Sequence, residues 1–212
     1  MSTLFISSKG GNGTTVTASS FALLSAQRGT PTILIDLCGD VPAAIGLAEP
    51  SGPGINDWLS ETNSQPFATF LAEFTPADDN LIVLHRGSSY VEGEPRWAEF
   101  ADVLRSTSHN VVIDAGTTFV PDQVRLAMAC TTLVTKSCYL SLRRATNMAR
   151  PTNVIVVKEE ARALTSKDIS HVLGVPVVAE IPYQAAISRS VDAGLLASRC
   201  QQHFGEYLTS SL

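Results

Sequence analysis

Charge is the scarcest property of this sequence. Charged side chains make up 17% of its 212 residues, below the roughly 25% of an average soluble domain. That scarcity argues against a disordered chain and against a coiled coil. Basic residues are fewer still, 15 Lys and Arg against 20 Asp and Glu, for a formal net charge of −5. Binding to nucleic acid through bulk charge is therefore not expected, and a local basic patch would have to serve. No apolar run approaches the ~18 residues of a membrane span. Residues 1–6 carry no basic start, so the expectation is no secretory leader and a cytoplasmic protein. The cysteines are few (Cys38, Cys130, Cys138, Cys200) and show no CxxC spacing. They are read as reduced thiols. Cys130 and Cys138 are taken as small half-buried residues in preference to ligands of an iron–sulfur cluster shared between subunits. Internal repeats and low-complexity tracts are absent.

What is present is a 44% hydrophobic chain, enough for one sizeable core and one domain over 1–212. Short, continuously apolar runs at 3–7, 32–36, 81–84, 111–114, 132–135, 154–157 and 177–181 have the pattern of strands covered on both faces. Helical stretches alternate with them at 16–27, 97–106, 122–129, 140–149, 166–173 and 185–193. The order predicts an α/β fold, a doubly wound and mostly parallel seven-stranded sheet with helices on both faces. Ligands of such sheets bind beyond the carboxyl ends of the strands, here after Ser7, Asp36 and Asp114. Residues 48–79 break the rhythm with Pro50, Gly52, Pro53, Gly54, Pro66 and Pro76. They are read as a surface excursion with short helical patches at 55–60 and 67–74. The C-terminal stretch 197–212 lacks the dense basic face of a membrane-targeting helix and is read as packed on the body or frayed.

The strongest chemical signal lies between the first strand and first helix: Ser7-Ser8-Lys9-Gly10-Gly11-Asn12-Gly13-Thr14-Thr15. Its glycines let the backbone fold closely around an anion, and successive N–H groups plus the helix N-terminus offer partial positive charge to phosphates. A hydroxyl at Thr15, in the first helical turn, stands where a magnesium ligand would sit. Asp114, at the end of a buried strand, suits the surroundings of the same ion.

Lys9-Gly10-Gly11-Asn12-Gly13-Thr14-Thr15 resembles the deviant Walker A loop of the ParA/MinD family of P-loop ATPases, K-G-G-x-G-K-[ST]. The resemblance extends over nearly the whole chain. Residues 33–37 look like the family's second strand running into switch I, 111–116 like its Walker B strand and switch II, 173–183 like the late strand and proline segment beside the base, and 190–194 like its closing helix. It implies ATP and Mg2+ as ligands and a homodimer closed around sandwiched ATP, with Lys9 reaching the partner subunit's nucleotide. The implied nucleotide-binding residues are Lys9, Gly10, Gly11, Asn12, Gly13, Thr14, Thr15, Gly116, Lys158 and Pro182. Magnesium falls to Thr15, Asp36 and Asp114, and catalysis to Lys9, Asp36 and Asp40. Lys158 would lie along the base or pair with Glu159 or Glu160.

Two positions depart from the family pattern. Thr14 stands in place of the Walker lysine, and Cys38 in place of the second aspartate of a D-x-D pair, with Asp40 two residues further on. A loop that keeps its glycines and loses that lysine resembles the CpaE/TadZ-like branch, which positions pili or septa. The implied function is an ATP-dependent dimerisation switch with slow or absent hydrolysis, partnered by a protein of a pilus or septum machine that would bring it to a pole or membrane surface. Many members of that branch carry an N-terminal receiver-like domain, whereas this sequence opens directly at the P-loop strand. A second reading is a DNA-partition ATPase, for which Arg143, Arg144 and Arg150 are the basic candidates. A third is a scaffold that binds no nucleotide.

Overall fold

The computed structural model describes residues 2–60, 65–88, 91 and 95–208. In chain order the elements are β1 (Ser2–Ile6), α1 (Thr14–Gln27), β2 (Thr32–Asp36), α2 (Val41–Ile45), α3 (Ile55–Ser60), α4 (Phe67–Leu71), β3 (Leu81–Leu84), α5 (Trp97–Ser106), β4 (Asn110–Gly116), α6 (Asp122–Arg125), β5 (Cys130–Lys136), α7 (Tyr139–Ala145), β6 (Asn153–Lys158), α8 (Ser166–Leu173), β7 (Val177–Pro182), α9 (Ala185–Asp192) and α10 (Leu196–Leu208). The strands form one sheet in the order β3-β2-β4-β1-β5-β6-β7. Every pairing between named strands is parallel, so the sheet is wholly rather than mostly so. The chain runs outward from β1 to β2 and β3 on one side, then crosses back to β5, β6 and β7 on the other. This reversal opens a crevice beyond the carboxyl end of β1, whose neighbours in the sheet are β4, with β2 beyond it, on one side and β5 on the other.

Alternation along each strand explains why the runs read as continuously apolar. Leu4 and Ile6 of β1, Ile33 and Ile35 of β2, and Val111 and Ile113 of β4 enter one core. Their neighbours Phe5, Leu34 and Val112 enter the other, with α1, α2 and α10. Helix α1 is buried along almost its whole length. Its Ala and Ser side chains are small enough to let it lie close on the sheet beneath α10, where Cys200, Phe204 and Leu208 are buried. The C-terminal helix is thus packed on the body as far as Leu208; residues 209–212 lie outside the described residues.

The segment 48–79 is not the surface excursion its composition predicts. Ile55, Trp58, Leu59, Phe67 and Phe70 are all buried in the first core. Trp58 meets Phe67 edge-on at 5.2 Å between ring centroids, donates its indole N–H to the Gln65 carbonyl at 3.0 Å, and carries the Arg96 guanidinium 4.1 Å above its ring. An apolar sheet face needs a cover, and over β2 and β3 helices α3, α4 and α5 supply it. Residues 61–64 of this segment lie outside the described residues.

Three further differences concern helices. The first begins at Thr14 rather than 16, so both loop threonines belong to its first turn. The stretches at 122–129 and 140–149 stop early, at Arg125 and Ala145. Tighter bonds close them, Ala127 N–H to the Val124 carbonyl and Met148 N–H to that of Ala145. The short α2 was not expected; Pro42 in its first turn and Gly46 after its last residue bound it.

Candidate functional site

The loop after β1 is built from the inside. Asn12 is buried, and its amide donates to the Ser7 hydroxyl at 2.9 Å. The Ser141 hydroxyl donates to Asn12 Oδ1 at 3.3 Å, and that of Ser8 to the Ser141 carbonyl at 2.8 Å. The Asn12 side chain therefore ties the loop to α7 rather than facing a ligand. Gly11 and Gly13 take left-handed φ values of 77° and 85°, which other residues adopt only with strain. Gly13 precedes α1 without a side-chain cap, and no acidic residue occupies the helix's first turn. Its opening N–H groups thus lack a partner within the helix, and their dipole is uncompensated.

These groups open on a cavity of about 400 Å³ lined by Lys9, Gly10, Gly11, Thr14 and Thr15 on one side and Cys38, Asp40, Gly116 and Thr118 on the other. An adjoining apolar cavity of about 240 Å³ shares Gly11, Gly13 and Val16 with it and continues between Val157, Ile181, Pro182 and Tyr183. A polar compartment at a helix N-terminus joined to an apolar one suits a molecule with an anionic tail and a flat apolar body.

Three side chains meet at the switch-point crevice. Asp36, the last residue of β2, and Asp114, two residues before the end of β4, are both fully buried and stand in register with each other. Cys38 completes the group, and one ligand atom from each of the three lies within 4.8 Å of the others. Asp36 Oδ1 accepts the N–H groups of Cys38 at 2.8 Å and Gly39 at 2.7 Å, and its Oδ2 that of Val41 at 3.0 Å. Its carboxylate thus folds the following loop back on itself and holds Cys38 in place. Burial nonetheless raises its pKa, the three N–H groups opposing. The Cys38 thiol is pushed up to about 12, chiefly by burial and then by the Asp114 carboxylate. Gly116 turns the chain with φ at 47°, and a side-chain carbon there would lie 2.7 Å from the Cys38 sulfur.

Asp114 accepts from the Gly116 N–H at 3.2 Å through Oδ1, while its Oδ2 is buried without a hydrogen-bond partner. Burial raises this carboxyl to about 7, against the opposing pull of the Thr15 hydroxyl and helped upward by Asp36. An orphaned, buried carboxylate oxygen beside a first-turn hydroxyl fits a divalent cation, with Thr15 and Asp114 toward it. Without a cation the raised value has a stability consequence. Between pH 3.8 and about 7 the folded chain keeps on Asp114 a proton that the unfolded chain has released. Stability then falls as pH rises through that window, and the loss is complete above it. Asp36, raised by the same cause, adds to the slope, and the Asp40 carboxylate pushes both upward. In the presence of a chelator, Asp114→Asn is expected to raise the thermal midpoint at pH 7.5 and flatten its dependence between pH 5 and 7.5. An equally steep profile in the variant would contradict this.

The remaining expected residues fall in different places. Lys9 stands at the cavity rim, its ammonium 3.4 Å from the Gly10 carbonyl. Asp40 lines the same cavity from the start of α2, and Pro182 lines the apolar one. Lys158 does neither. It is exposed and paired with Glu180 at 3.1 Å on the neighbouring strand, because Glu159 is held by Lys136 and Arg162. Lys136, at the end of β5, lines the apolar cavity instead and lies 5.3 Å from the centre of the Tyr183 ring. Sequence reasoning missed Lys136; its place at the carboxyl end of β5 is the signal that could have found it. Cys130 and Cys138 sit on either side of β5, one opening the strand and one following it, and both are half-buried.

No protein-family model matches this sequence, and no curated protein matches it. Solved structures do match its fold. A ParA family ATPase from Chlorobium tepidum superposes with a TM-score of 0.77 at 17% identity, over 99% of this chain and 97% of that one. The septum site-determining protein MinD from Pyrococcus horikoshii, complexed with Mg-ADP, gives 0.70 at 15% identity over 95% and 90%. A chain of the MinC:MinD cell division protein complex from Aquifex aeolicus gives 0.69 at 15% over 91% and 86%. The wholly parallel seven-stranded sheet, the glycine loop leading into α1 and these superpositions together identify the fold as the α/β P-loop fold of the ParA and MinD ATPases.

Proposed function

We propose that this chain is an ATP- and magnesium-dependent dimerisation switch that positions or recruits a cellular machine, of the pilus-assembly or septum kind, with slow hydrolysis. The observation that carries the reading is the uncapped N-terminus of α1 opening on the 400 Å³ cavity, with Lys9 at its rim. Backbone N–H groups of 10–15 hold the phosphates, and the apolar cavity beside Pro182 takes the base. Thr15 and Asp114 would hold magnesium, which would supply neutralisation of phosphate charge. The likeness to a MinD complexed with Mg-ADP supports this choice of ligand, and the likeness to a MinD bound to MinC supports a protein partner.

Apolar surface beside the cavity supports a second copy as the dimer partner. Phe119 is 79% exposed, Leu126 82% and Tyr139 71%. Phe119 follows Thr118 of the cavity wall, and Tyr139 opens the helix whose Ser141 holds the loop. Large apolar side chains so bare are found where surfaces meet. The DNA-partition reading has less support. Arg150 donates to the Gly174 carbonyl at the end of α8, leaving Arg143 and Arg144 as the exposed basic pair in that region.

The test is sedimentation of Lys9→Ala with ATP and magnesium. The side chain is half-buried at a loop start, so the fold is expected to survive. Loss of the ATP-dependent dimer, with thermal stability unchanged, is the expected result. A variant that dimerises like the unmodified protein shows that the lysine does not cross between subunits.

A further inference from the structure

Cys38 stands beside two buried carboxylates where a hard cation such as magnesium has no use for it. Magnesium takes oxygen ligands in near-octahedral geometry, whereas thiolates select softer ions. We propose that in the nucleotide-free protein, where magnesium does not occupy Asp114, Asp36, Cys38 and Asp114 form a binding site for a borderline-soft divalent cation of the zinc type, with Cys38 supplying a thiolate and the fourth position open to the cavity.

The geometry is close to what such an ion needs. Zinc sits about 2.3 Å from sulfur and about 2.0 Å from carboxylate oxygen, which puts tetrahedral sulfur and oxygen ligands roughly 3.5 Å apart. One ligand atom from each of these residues already lies within 4.8 Å of the others, so rotations of roughly an ångström close the set. The site is also built. Asp36, through the N–H groups of Cys38 and Gly39, fixes the loop that carries the thiol. Gly116 leaves the space the sulfur occupies, because any side chain there would meet it. Within the cluster, the fully buried Asp114 Oδ2 has no hydrogen-bond partner and is left for a ligand. Two buried carboxylates in register at adjacent strand ends are costly unless a cation compensates them. Binding replaces the thiol proton by the metal and releases that proton to solvent. Cys38 also lines the cavity assigned above to the phosphates, so the open position faces that compartment.

The experiment is titration of the full chain with Cd2+ alone, free of nucleotide and chelator, read by the ultraviolet thiolate-to-cadmium charge-transfer band. One equivalent is expected to saturate the band. Cys38→Ser, a change of one atom, is expected to abolish it, and Cys138→Ser to leave it intact. Asp114→Asn is expected to weaken binding about tenfold or more, a loss that removal of even an outer partner of a metal ligand can cause. A band that survives Cys38→Ser, or no band in the unmodified protein, overturns the proposal. If Asp114→Asn does not fold, Co2+ on the unmodified protein decides instead: intense visible absorption from four-coordinate cobalt is expected, and a weak six-coordinate spectrum overturns it. The proposal concerns the same cavity as the nucleotide reading but is tested without nucleotide. Binding of ATP with magnesium alongside a missing cadmium band therefore removes this inference alone.

Discussion

Thr14→Lys combined with Cys38→Asp is expected to raise steady-state phosphate release by about 10²–10³ over the unmodified protein, the range in which single preorganised charges count in catalysis. Thr14 is buried as the first residue of α1 and lines the phosphate cavity. Its short neutral hydroxyl cannot reach where a lysine ammonium would stand between the terminal phosphates. Ground-state binding is expected to survive without that charge, because on the proposed reading the loop N–H groups and helix N-terminus would still hold the phosphates. The transition state loses more, since negative charge shifts toward the bridging oxygen as the bond breaks. At Cys38 the loss is of another kind. Its thiol, pushed up to about 12 by burial, is neutral at physiological pH and orients water poorly. Each single substitution is expected to give part of the gain, and the pair more than the product if the two groups act as a unit. The four variants are compared at saturating ATP and magnesium. An unmodified protein that already matches the double variant would mean that hydrolysis is not slow and that Asp40, on the same cavity wall, completes the site.

Trp58→Ala is expected to cost about 3–5 kcal/mol of stability, the usual range for removing a fully packed large aromatic. Trp58 is 2% exposed and touches Phe67, Phe70 and Phe100. The change also strands its indole's partner, the Gln65 carbonyl, and the Arg96 guanidinium above its ring. At about 2–4 °C per kcal/mol for a chain of this size, the thermal midpoint is expected to fall by roughly 6–20 °C. A fall of a degree or less would show that 48–79 is dispensable to the core, as its proline and glycine content suggests.

That segment marks a limit of reading a sequence alone. Pro50, Gly52, Pro53 and Gly54 signal turns correctly, but turn residues say nothing of what the next helix covers. Burial of Trp58 and Phe67 follows from the uncovered sheet face over β2 and β3, a tertiary fact. The strands were legible for the opposite reason. Burial on both faces leaves an unbroken apolar run such as Thr32–Asp36, which no loop imitates. The glycine loop was equally legible, because glycine supplies left-handed turns such as those at Gly11 and Gly13 without strain. Roles set by long-range contact were not. Asn12 looks like a loop residue for a ligand, yet its amide is spent on Ser7 and Ser141, the latter 129 residues away. Lys158 leaves the place expected of it for a pairing with Glu180 on the adjacent strand, while Lys136, which sequence reasoning passed over, pairs with Glu159 and lines the apolar cavity.

The central claim is that the glycine loop and the start of α1 bind the phosphates of a nucleotide, and a structure of the protein with ATP and magnesium tests it most directly. The account predicts phosphate oxygens within hydrogen-bond distance of the N–H groups of 10–15 and the base against Pro182 and Val157. Nucleotide bound elsewhere, or no binding at millimolar ATP, would contradict it.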